Sequence, residues 1–120
     1  MTDLIRKSFS KPDDVLRYPN VTIESVRVGD LDVMRLTAEP GWRWSESVGP
    51  TVDRSACPVE HTLWLVLEGR FGVRMDDGTG AEFGPGEVGR IGPGHDAWVV
   101  GDARVVGIDV RSASHQQTPS

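Results

Sequence analysis

Cys57, His61 and His95 carry the thiol and imidazole donors from which a transition-metal site could be assembled. A Cys/His/His set that leaves one coordination position open suits zinc. The same two histidines, or a carboxylate such as Glu46 or Asp53, could instead serve as general base toward a small substrate. Cys57 would become a nucleophile only with His61 or His95 within hydrogen-bond reach. The plainer expectation for a single cysteine is a small buried side chain, for His61 a strand-start histidine, and for His95 a turn residue. Trp42, Trp44, Trp64 and Trp98 could wall a flat apolar pocket for an aromatic or cyclic molecule, with Arg43, Glu46, Asp53 or Thr62 orienting it. The alternative is that these rings simply fill a core.

The elements that must position these residues are short strands. Runs at residues 21–27 and 31–36 flank Gly29-Asp30, a hairpin signal. The run 61–67 is the most apolar in the chain and ends at Glu68-Gly69; 71–75 follows and closes at Asp76-Asp77-Gly78. Further strands are expected at 80–83, 88–91, 96–100 and 103–110, each bounded by Gly, Pro or Asp. Trp42 and Trp44, two positions apart, would share one face of a strand. Residues 45–58 show no periodicity and read as a long loop, the kind of segment that often carries function. Residues 1–20 read as an irregular N-terminal arm in which Leu4, Ile5 and Phe9 can cover an edge, and 111–120 as a polar, disordered tail. The expected class is all-β, a sandwich or barrel in one domain.

Composition narrows the functions. The 120 residues suffice for one core, and a 38% hydrophobic, 26% charged make-up is that of a globular protein. A net charge of −5 argues against nucleic acid, whose phosphates demand a clustered excess of Lys and Arg. One cysteine excludes an intrachain disulfide, and no window is apolar enough to span a membrane, so the expected location is cytoplasmic.

Leu65-Val66-Leu67-Glu68-Gly69 together with Gly86-Glu87 and Ile91-Gly92-Pro93-Gly94 resembles the two motifs of the cupin superfamily, over residues 21–110. Residues 39–46, 74–79 and 94–102 look like those of small single-domain bacterial cupins. The resemblance implies a double-stranded β-helix, a jelly-roll-like barrel, and commonly a homodimer. Carried over from Gly69, the motif's two His slots fall on Ser55 and Cys57 and its Glu slot on Thr62; the second motif's His slot falls on Ala97. Anchoring on Gly41 instead gives Ser47 and Gly49. Ser, Cys, Thr and Ala cannot supply the imidazole and carboxylate set of the usual cupin metal site.

If the Thr62 slot faces inward, Trp64 and Val66 share its face. His61 then points outward with Leu63, Leu65 and Leu67, an apolar row suited to a partner subunit. His95 shares the parity of Ala97 and can reach in. The expectation is therefore a small-molecule-binding barrel with an aromatic-lined pocket at Trp44, Trp64, Trp98, Thr62 and Arg43, and no cofactor. The alternative is an isomerase, cyclase or lyase, metal-free or zinc-dependent, using His95, His61 or Glu46, with any zinc at Cys57, His61 and His95.

Overall fold

A computed structural model describes residues 4–112. Among the described residues, nine strands form two antiparallel sheets: β1 (Asp14–Tyr18), β2 (Val21–Val28), β3 (Leu31–Ala38), β4 (His61–Glu68), β5 (Phe71–Met75), β6 (Gly80–Phe83), β7 (Val88–Ile91), β8 (His95–Val99) and β9 (Val105–Ser112). The larger sheet runs β1-β2-β3-β9-β4-β7 and the smaller β6-β5-β8. Their inward residues meet in one core, with Val66 and Val105 fully buried. No helix among the described residues is long and apolar enough to cross a membrane.

The hairpins follow from turn chemistry. Gly29 has φ +61° between Val28 and its register partner Leu31, the positive value a two-residue turn with Gly first demands. Pro19-Asn20 joins β1 to β2 with Asn20 at φ +65°, the proline-then-positive-φ pattern of a type II turn. That signal corrects the expected irregular arm, because residues 14–18 pair with β2 as the edge strand of the larger sheet. Ahead of it, Phe9 lies under the Arg35 guanidinium and Ile5 approaches Gly29. At the other end β9 continues through Ser112, and the expected disorder of 113–120 falls outside the described residues.

Residues 45–58 are likewise more ordered than expected. Two single helical turns occur, α1 (Trp44–Ser47) and α2 (Gly49–Val52). A Cβ on Gly49 would stand 2.4 Å from the Arg54 carbonyl oxygen, so only glycine lets the chain fold back there. Trp42 and Trp44 do not share a strand face, since Trp44 opens α1.

Trp42, Trp44 and Trp64 are core. The Trp42 and Phe71 rings stack with centroids 6.1 Å apart, and Trp64 lies 4.7 Å from Phe71. Trp64 covers Gly107 so closely that a Cβ there would sit 2.2 Å from its ring. Trp98 is on the opposite, outer face of the small sheet, over Gly72. Outside the large sheet, Leu63, Leu67 and Val88 are exposed beside half-buried Leu65, as the outward apolar row requires.

Candidate metal centre

The alternation along β4 is broken once. His61 pairs with Ile91 of β7, while Trp64 pairs with Gly89, so three steps on β4 match two on β7. This β-bulge places Thr62 and Leu63 outside while both His61 and Trp64 point into the barrel. The expected facing is thereby inverted: Thr62 is exposed and leaves the predicted ligand-binding set, and His61 is inside. Ala97 does face inward, and His95 with it.

Cys57 comes from the connection before β4, fixed by an isolated bridge in which its N–H donates to the His95 carbonyl at 2.6 Å and its own carbonyl accepts the Gly94 N–H at 2.7 Å. Gly94 adopts φ +85° to turn the chain into β8 at that point. The donor atoms of Cys57, His61 and His95 all lie within 4.8 Å of one another. Cys57 and His95 are each 3% exposed.

Each imidazole is held by its inner nitrogen. His61 Nδ1 donates to Asp109 Oδ2 at 2.7 Å, and His95 Nδ1 donates to the Gly92 carbonyl at 2.8 Å. Nε2 of both rings is left for the third member, the tautomer that metal-binding histidines take when a carboxylate or carbonyl holds the other nitrogen. Asp109, 5% exposed, had no place in the sequence reading. Its signal was a lone carboxylate within the apolar run of β9, at the inward parity of Val105 and Gly107.

The electrostatics are those of an ion pair. Burial pushes the Cys57 thiol up, but hydrogen bonds from His61 and His95 outweigh it and bring it down to about 6. Burial pulls His61 down, and the Asp109 carboxylate and Cys57 thiolate outweigh that, raising it to about 9. Near neutrality the metal-free cluster is therefore thiolate, imidazolium and carboxylate in sequence.

The remaining expected site residues lie elsewhere. Glu46 is exposed on α1, and Asp53 is exposed in the left-handed position that ends α2. Arg43 sits 4.7 Å over the Trp98 ring and 3.3 Å from Asp96, which places both on the outer face of the small sheet, away from the Cys57 cluster. Trp44 and Trp64 are buried in the core. A hollow of about 170 Å³ lies between β6 and β7 with no tryptophan in its walls, and another, of about 420 Å³, includes Trp98 among its walls with Arg74 and Glu82.

No protein-family profile and no curated protein matches this chain. Solved structures do. A cupin-like protein from Thermotoga maritima is 17% identical, covering 95% of this chain and 84% of that one, with a TM-score of 0.57. The cupin domain of an XRE-family transcriptional regulator from Enterobacter cloacae is 12% identical over 76% of this chain and 94% of that one, TM-score 0.53. A mutant Bacillus subtilis oxalate decarboxylase is 15% identical over 88% of this chain, TM-score 0.64, and this chain spans 29% of its length. Two other matched chains are likewise longer, spanned to 42% and 30%. With its two antiparallel sheets, their strand order and these likenesses, the chain has the cupin fold.

Proposed function

We propose that this barrel is a zinc-dependent enzyme of small-molecule metabolism, an isomerase, cyclase or lyase, with the ion held by Cys57 Sγ, His61 Nε2 and His95 Nε2. The observation that carries this reading is the convergence of three donors within 4.8 Å, both imidazoles already tied back through Nδ1. One thiolate and two neutral imidazoles are donors zinc accepts, and three protein ligands leave a position for substrate or water. Zinc in such a site supplies Lewis-acid polarisation of a substrate oxygen and an acidified water. The chain's own contribution is positional. Asp109 fixes the His61 ring and accepts its Nδ1 proton, Gly92 does the same for His95, and the bridge to β8 fixes the Cys57 backbone. His61 and His95 then serve as ligands rather than as bases.

A second reading rests on the depressed Cys57 and raised His61. Without metal, Cys57, His61 and Asp109 line up as nucleophile, base and orienting carboxylate. Metal analysis of untagged protein separates the two. About one zinc per chain, lost in Cys57→Ala and in His95→Ala, supports the metal reading; below about a tenth of an equivalent it fails, since such a site retains its ion through purification.

The homodimer implied by the cupin resemblance is proposed to form through the outer row of β4, where Leu63 stands opposite Val110 and Leu65 between Ile108 and Val88.

A further inference from the structure

We infer that the smaller hollow, between β6 and β7, is the substrate pocket of the proposed zinc site, an inference that rests on that proposal, and that it receives a short apolar monocarboxylate whose acid group is held by Arg90. The two sheets part between β6 and β7, which share no ladder, and the hollow lies there. Its walls are Val73, Met75, Ala81, Phe83 and Ile91. Ile91 is the register partner of His61, and Met75 that of His95, so two of its walls stand on the ladders that carry the imidazoles.

Size and wall chemistry set the ligand class. A volume of about 170 Å³ equals that of about six waters, well under what drug-sized ligands occupy. The walls are apolar except for the Thr79 hydroxyl and Arg90, the single charged residue among them. A molecule seated here needs a short hydrocarbon body, one anionic end and an oxygen at the other end toward the imidazoles. Arg90, its side chain 69% exposed, already pairs through Nη2 with the Glu60 carboxylate, so a wall residue of the hollow engages a carboxylate. Its other N–H donors are available to a second carboxylate.

The test is an amide-resolved NMR titration with butanoate and its neutral analogue butanamide, on zinc-loaded and metal-free protein, with zinc content measured on the same samples. Butanoate should bind about tenfold more tightly than butanamide, as a charge-assisted pair at an exposed rim implies, and should shift the Arg90 and Ile91 signals. Arg90→Gln should erase the preference and leave butanamide binding unchanged. Glu60→Gln should strengthen butanoate binding by freeing the guanidinium, and Ala81→Phe should block both molecules. Equal affinity for the two probes in the wild type, or a preference that survives Arg90→Gln, overturns the inference. Zinc uptake with no butanoate preference defeats the pocket alone. Arg90-dependent butanoate binding in protein that takes no zinc supports the acid pocket and defeats the metal reading.

Discussion

His61 and Asp109, 48 positions apart in the chain, meet at 2.7 Å across the β4–β9 ladder. The strands set this distance: Asp109 stands directly opposite Trp64, and the bulge between His61 and Trp64 swings the imidazole to the same side. A buried carboxylate thereby fixes the ring's tautomer and favours its protonated form.

Asp109→Asn should lower zinc affinity by about 10- to 100-fold while retaining one site per chain, the range for loss of a carboxylate behind a ligating histidine. Competition against a chelator of known affinity measures it. An unchanged affinity would remove Asp109 from the site.

Zinc binding near pH 7.5 should release about one proton, because Cys57 at about 6 is already thiolate while His61 at about 9 must lose its proton to coordinate. As pH falls through about 6, Cys57 adds a second. Calorimetry in buffers of different ionisation enthalpy counts them.

The metal-free protein should be most stable between about pH 6 and 9. Cys57 is lowered by folding, so its contribution is complete only above the unfolded value near 9 and is lost as pH falls through about 6. His61 is raised, so its contribution is complete below the unfolded value of 6.5 and is lost as pH rises through about 9. The two are coupled, and the ion pair exists only between those limits. Thermal melts across pH should show this maximum, and Cys57→Ala should flatten its acid side.

Gly107→Ala should destabilise the fold by about 1–3 kcal/mol, since the added methyl would meet the Trp64 ring at 2.2 Å. Denaturant midpoints report the loss. A neutral result would mean the tryptophan floor is loosely packed.

Trp98→Ala should remove a cation–π contact worth about 0.5–1 kcal/mol and leave zinc content and butanoate binding unchanged. A change in either would tie Trp98 to the proposed zinc site.

The strand runs, the Gly29-Asp30 hairpin and the apolar face of β4 were legible in the sequence because turn residues and period-two alternation are local properties. Ala97 and His95 were placed on the inner face by the same parity, which β8 keeps without interruption. Thr62 and His61 were each assigned the wrong face for want of one residue. Nothing in His61-Thr62-Leu63-Trp64 announces a bulge, which arises only when β4 is matched against β7. That Trp98 and Arg43 stand on the outer face could not be read from residue type, since which side of the small sheet faces the core is decided by the other sheet.

The sequence by itself determined an all-β chain, its principal turns and the short list of side chains able to bind a metal, because these depend on residue type and near-neighbour spacing. Tertiary structure decided which of those side chains meet. It brought Cys57, His61, His95 and Asp109 from four separate segments to one point inside the barrel, through a bulge and an isolated bridge that exist only between strands.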